Sequence, residues 1–293
     1  MRILRFFLAH AALALLVLSC AGFAASNPLR SPRGLALDAS GNLYVANTDG
    51  NNILVFSPSY SQLRSKTITA GINAPTSLVF DSLGNLWVAN SGASNGGANG
   101  SISQYTAGVQ NAGATITDGI DNPFSIAMDG IGNLFVENNY ANVTVYEPQS
   151  AFSPPRFPFV FYSAAEETLF FGVLASSQGV VFVGTSGYFE DTPQTVYGME
   201  LNFIYGQNLR ETVDGEALAL TSDASANVYL ANADGTVDKL LADGGVQSTV
   251  LEASFPITGI AVDSKRGRIY LSDYDDSQIA VYSLTGTLLK VIQ

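Results

Sequence analysis

The chain has 293 residues, a formal net charge of −12 and charged side chains at only 13% of positions. Its single histidine, His10, and single cysteine, Cys20, both lie near the N-terminus. The remainder therefore has no residues for disulfides, thiolate or imidazole zinc sites, Ser-His-Asp triads or Cys-His dyads, and its acidic balance repels nucleic acid and anionic lipid.

The N-terminus reads as an export signal over residues 1–24. A basic start, MRILR, precedes a 13-residue apolar run, Phe6 to Leu18, too short to span a bilayer comfortably. Two processing readings stand. Gly22-Phe23-Ala24 offers small residues for ordinary signal peptidase. Val17-Leu18-Ser19-Cys20 resembles a lipoprotein box with Cys20 as the lipid-bearing residue, although Leu18 departs from the box. Either way the protein is expected to be periplasmic or extracellular, with no transmembrane span after processing. Residues 25–293 form one domain, large enough to be held by its own core.

That domain repeats itself. GNLYVAN at 41–47 returns as GNLWVAN at 84–90 and GNLFVEN at 132–138. Aligned on the aromatic residue, the copies fall at Tyr44, Trp87, Phe135, Phe182, Tyr229 and Tyr270, spaced 43, 48, 47, 47 and 41 residues apart. Each copy starts with a short apolar strand (GLALD, SLVFD, SIAMD, GVLAS, ALALTSD, GIAVD). In the first three an Asp-x-x-Gly turn follows; Asp38, Asp81 and Asp129 are placed to bond its N–H groups, and Gly41, Gly84 and Gly132 to take positive φ. The heptapeptide strand comes next, then an alternating third strand (NILVF, SISQY, VTVYE, TVDKL, QIAVY) and a more polar fourth (SKTITA, ATITD, VQSTVL, TLLKVI). RFPFVFYS reads as an edge strand of the third unit, because Pro158 cannot donate a ladder hydrogen bond.

Four strands per period of about 44 residues, without a helical pattern, predict an all-β fold. The expected architecture is a six-bladed β-propeller of four-stranded antiparallel blades, beginning near 32, 75, 123, 170, 215 and 256. A single blade cannot bury both faces; blades in a ring can. The aromatic of each heptapeptide is then a wedge between neighbours.

The segments PRGLALDASGNLYVAN and PITGIAVDSKRGRIYLSD resemble the NHL repeat. The likeness runs through the chain after the leader and is weakest in the fourth copy, FFGVLASSQGVVFVGTSG, which lacks the Asp. In the fifth, Ala226 replaces the turn Gly. Propellers of this type include binding modules and several enzymes, so the resemblance implies the fold more than the function.

Strand one lines the central channel and strand two runs back, so the segment entering strand one and the exit of strand two share a face. That face is expected to carry Arg33, Thr76, Phe124 and Glu216 from the entering segments. From the exits it carries Asn47, Asn90, Asn138, Thr185, Asn232 and Asp273. Their oxygens suit a polar ligand or Ca²⁺; the competing role is an Asx-turn at each strand exit. Glu137 stands where Ala46 and Ala89 stand in the first two copies, pointing into an inter-blade face. It is either a metal ligand or general base, or a carboxyl bonded to a neighbouring blade.

Other stretches argue for less. SGASNGGANG, 91–100, lacks the Lys of a phosphate loop and no helix follows. DYDDSQ, 273–278, lacks the Gly and closing Glu of a calcium loop. Glu190 and Asp191 fit a solvated loop, and Phe152, Phe157, Phe161, Tyr162, Tyr188 and Phe189 fit packing more than a stacking platform.

Two functions follow. The first is a non-catalytic binding or scaffold module, a monomer recognising a protein, peptide or glycan through the channel face, with no cofactor expected. The second comes from a more distant resemblance to gluconolactonase-type propellers. It is a hydrolase using Ca²⁺ or another divalent ion on Glu137, Asn90, Asn232 and Asp273, with Glu137 as the catalytic base.

Overall fold

The computed structural model describes residues 27–92, 100–138, 142–147, 159–163, 168–175, 180–187, 195–200, 210–214, 217–242 and 246–293. For 159–214 and 246–248 only the course of the backbone is described. Residues 1–26 with Cys20, and Glu190 and Asp191, lie outside these residues.

The described chain is β-structure with one short 3-10 turn at Arg64–Lys66. Its strands form antiparallel sheets in chain order. The first sheet holds β1 (Pro32–Leu37), β2 (Leu43–Asn47) and β3 (Asn52–Phe56). The second holds β4 (Pro75–Phe80), β5 (Leu86–Asn90), β6 (Ser101–Tyr105) and β7 (Ala114–Ile116). The third holds β8 (Pro123–Met128), β9 (Leu134–Asn138), β10 (Asn142–Tyr146) and β11 (Phe159–Ser163). The fourth runs from β12 (Thr168–Ala175) through β13 (Val180–Gly187) and β14 (Thr195–Glu200) to β15 (Arg210–Asp214). The fifth comprises β16 (Ala217–Ser222), β17 (Val228–Asn232), β18 (Thr236–Leu240) and β19 (Val246–Glu252). The last comprises β20 (Gly259–Asp263), β21 (Arg268–Asp273), β22 (Gln278–Ser283) and β23 (Leu288–Ile292).

The expectation of six four-stranded blades needs correction. Only five of these sheets have four strands; the first has three. Its SKTITA segment coils into the 3-10 turn, so only isolated bridges from Gln62 and Ile68 reach Phe56 and Ile53 of β3. The Pro158 argument placed its strand correctly: β11 pairs only with β10, at the outer edge of the third sheet.

Strand two is two-faced in the blades whose side chains are described. In β2, Leu43 and Val45 pack backwards against Tyr270, Ile279 and Val281 of the last sheet. Tyr44 and Ala46 face forwards onto Leu78, Leu86 and Val88 of the second. Trp87 and Ala89 do the same to Ile126, Leu134 and Val136, and Tyr229 and Ala231 to Ile260, Ile269 and Leu271. Hydroxyls tie the blades at one end: Thr48, Thr76 and Thr258 donate to the carbonyls of Pro75, Pro123 and Pro32 (2.7, 2.9 and 3.1 Å).

Among the described residues the ring closes by packing, without an exchanged strand. Ser272 donates to the Arg33 carbonyl at 2.8 Å, and a Cβ on Gly259 would lie 2.2 Å from that same oxygen. Glycine is required there for the last blade to approach the first. Residues 27–31 add no strand, but Asn27 donates to the Ser277 carbonyl and the Ser31 N–H to the Ser277 hydroxyl. Leu29, fully buried, packs into the seam between first and last sheets. Leu29→Ala is expected to cost roughly 2–5 kcal/mol in urea unfolding, because it opens a cavity at the closure.

The Asp turn recurs in one geometry. In Asp38, Asp81, Asp129 and Asp223, Oδ1 accepts two backbone N–H groups and Oδ2 accepts the amide of Asn42, Asn85, Asn133 or Asn227. Ala226 occupies the glycine position of the fifth turn with φ 62°. A Cβ there crowds the following carbonyl. Ala226→Gly is expected to raise stability by roughly 0.5–1 kcal/mol in the same unfolding assay, the relief exceeding the added unfolded-chain entropy.

Candidate functional site

The register fixes which ends form the channel mouth: Pro32 pairs with Asn47, Pro75 with Asn90, Pro123 with Asn138 and Ala217 with Asn232. Just inside lies an opening of about 70 Å³, its rim formed by Arg33, Thr76, Phe124, Leu218 and Thr258. Towards the other end strand one lines a wider space of about 290 Å³ with apolar side chains such as Leu37, Phe80, Met128 and Val262.

Three of the expected residues, Arg33, Thr76 and Phe124, meet at the mouth. Asn47, Asn90, Asn138, Asn232 and Asp273 instead bond within their own blades. The Oδ1 atoms of Asn47, Asn90 and Asn138 accept the N–H groups of Arg30, Asn73 and Asp121, each 17 residues earlier. Their amides donate outwards to Asn52, Ser103 and Thr144. Asn232 donates to Asp238 and Thr236, while Asp273 accepts from Gln278 and the Asp276 N–H. All five are buried. Thr185 lies on β13 opposite Phe170; its side chain, like Glu216, lies outside the described residues.

Sequence reasoning missed Leu218, Thr258 and Tyr274. Counting the strand-one register from Arg33 through Thr76 and Phe124 reaches Leu218 and Thr258. Nothing in the pattern marks Tyr274, which follows Asp273 at the exit of β21. The Arg33 guanidinium carbon lies 5.2 Å from the centre of the Phe124 ring and 4.7 Å from that of Tyr274. Its Nε is buried and has no hydrogen-bond partner among the described residues.

Glu137 is fully buried. Leu134 and Val136 face the second blade, so strand alternation turns Phe135 and Glu137 towards the fourth, where β12 packs on β8 and β9. Glu137 lies between Ser125 of β8 and Val143 of β10 in the register. Neither carboxyl oxygen has a hydrogen-bond partner among the described residues. Burial pushes its pKa from 4.5 up to about 8, so the acid is neutral at pH 7. The same position in the last blade is Ser272, whose hydroxyl donates across the seam. A neutral carboxyl also carries a donor; a carboxylate does not.

As a metal centre the residues do not fit. Glu137 faces one seam, Asn90, Asn232 and Asp273 sit in three other blades, and the latter are engaged in their own loops. Among the described residues no three acidic, histidine or cysteine side chains gather.

Comparisons with known proteins agree with the fold. Residues 29–56 match the NHL repeat. No curated protein sequence matches the chain. Among solved structures, it is similar to a chain of a nidogen–laminin complex (TM-score 0.67, 15% identity, covering 86% of this chain and 93% of that one). It is similar also to a gluconolactonase from Xanthomonas campestris (TM-score 0.62, 13% identity, 85% of each chain). A streptogramin B lyase gives a TM-score of 0.59 at 14% identity over 92% of this chain and 84% of its own. The protein is therefore an all-β propeller carrying an NHL-repeat match. Among the described residues no helix is long and apolar enough to cross a membrane.

The buried acid makes a signed prediction. The unfolded chain loses the Glu137 proton near pH 4.5 and the folded protein only near 8. Between these values the native state binds more protons, so stability falls as pH rises through that window. Thermal melts of Glu137→Gln should lack this component, and the wild type should lose on the order of a few kcal/mol between pH 5 and pH 8 relative to it.

Proposed function

We propose that the protein is an exported propeller acting as a non-catalytic binding module, engaging a protein, peptide or glycan through its channel mouth. The observation that carries this is the arrangement at the rim. Arg33, Phe124 and Tyr274 form a cationic and aromatic group at the opening. The Asn90 and Asp273 oxygens that a metal site would need are engaged within their blades. The basic and apolar leader supports export, ending either near Ala24 or at a lipid-bearing Cys20.

A second reading is a divalent-metal hydrolase of lactonase type. The likeness to a gluconolactonase structure favours it, with a ligand set other than Glu137, Asn90, Asn232 and Asp273. The two readings separate in one experiment. Under the binding reading, the melting temperature ignores both Ca²⁺ and EDTA, and peptide and glycan arrays yield ligands lost on Thr76→Trp, which plugs the mouth. A melting temperature raised by Ca²⁺ and lowered by EDTA, with lactone turnover, would transfer the assignment to the second reading.

A further inference from the structure

Cations are scarce in this chain: 13 Lys and Arg stand against 25 Asp and Glu. Where a described basic side chain is partly buried, its charge is normally answered. Lys239 pairs with Asp223 at 3.9 Å, and Arg268 donates to the Pro58 carbonyl at 2.7 Å while lying over Tyr60. Arg33 is the exception. It is partly buried, yet among the described residues its guanidinium makes no hydrogen bond and meets no carboxylate. What it has is two aromatic rings, Phe124 and Tyr274. These interact with the cation through their π faces and leave the in-plane N–H donors unused.

The surroundings define what those donors suit. The rim hydroxyls of Thr76 and Thr258 are committed to backbone carbonyls of the next blade, so Arg33 supplies the recognition. A planar guanidinium matches a carboxylate with two parallel N–H···O bonds. One positive charge balances one negative charge, which favours a carboxylate over a phosphate. The opening of about 70 Å³ has room for a single side chain, well below the several hundred Å³ of a pocket for a whole small molecule. A partner with many acids would be repelled by the net charge of −12.

We infer that the channel mouth is a seat for one Asp or Glu side chain of an otherwise uncharged or basic peptide segment, with Arg33 as its anchor and Phe124 and Tyr274 holding the guanidinium in place. This rests on the channel-mouth reading above. It adds the chemistry of the group bound.

The test uses the ¹⁵N-labelled chain after leader removal and four probes: Ac-Ala-Glu-Ala-NH₂, Ac-Ala-Asp-Ala-NH₂, the isosteric Ac-Ala-Gln-Ala-NH₂ and methyl glucuronide. The acidic peptides should shift the Arg33 Nε–H resonance saturably, weaken with added salt, and bind about tenfold or more tightly than the Gln peptide. Arg33→Gln should abolish the Glu-over-Gln preference. Arg33→Lys keeps the charge and stem but not the planar fork, so it should keep only part of the preference, and it serves if Arg33→Gln unfolds. Equal binding of Glu and Gln peptides that is lost in Thr76→Trp would overturn the carboxylate inference and leave the channel-mouth reading standing. Binding of glucuronide alone, of no probe at all, or an unchanged preference in both Arg33 variants would also overturn it.

Discussion

Everything in this protein depends on blade-against-blade burial through strand two. A four-stranded antiparallel sheet has two faces, and a blade of this size cannot cover either by itself. The heptapeptide resolves this by alternation. Leu and Val side chains face the preceding blade, and an aromatic with a small residue two positions on faces the following one. Because side chains beside a close seam have little room, the small position is Ala46, Ala89 and Ala231, and at the closure Ser272 against Gly259. The central channel is then a consequence, since strand one of each blade is left on the inside of the ring.

Two ionisable side chains break that economy. Glu137 occupies the small position in the third blade, and among the described residues nothing hydrogen-bonds its carboxyl. Burial answers by keeping it protonated, and that solution works only below the pH at which the proton leaves. Arg33 stands one residue beyond the strand-one proline, where its backbone carbonyl serves the closure and its side chain projects into the mouth. The first is a cost borne inside a seam. The second lies at the channel mouth, where among the described residues it meets two rings and no acid. These locations, and not the shared fold, make Arg33 the better candidate for recognition. Likeness at 13–15% identity to proteins named as a lactonase, a lyase and a member of a protein complex carries the architecture alone.

Much was legible without coordinates because the determinants are local and repeated. The period of the aromatic, the Asp-x-x-Gly turns and the edge strand Phe159–Ser163 each follow from hydrogen bonding or steric rules acting over a few residues. The turn even retains its geometry where Ala226 replaces glycine, since the Asp223 carboxylate still holds it. The departure in the first blade was not legible. SKTITA has a strand-like composition, but its first two residues lie in the 3-10 turn at Arg64–Lys66 and only Ile68 bridges to β3.

The sequence by itself determined a repeated, four-strand, all-β unit, which side chains lie in the seams, and that Glu137 is out of place there. Tertiary structure alone decided where the exit Asn side chains point. An Asn at a strand end is equally suited to a ligand and to its own loop, and only the arrival of the N–H 17 residues earlier settles the choice. It also decided that Arg33 of the first blade, Phe124 of the third and Tyr274 of the last meet at one opening. Residues 91 and 241 positions apart become neighbours only when the ring closes, and no local rule of turn or periodicity encodes that distance.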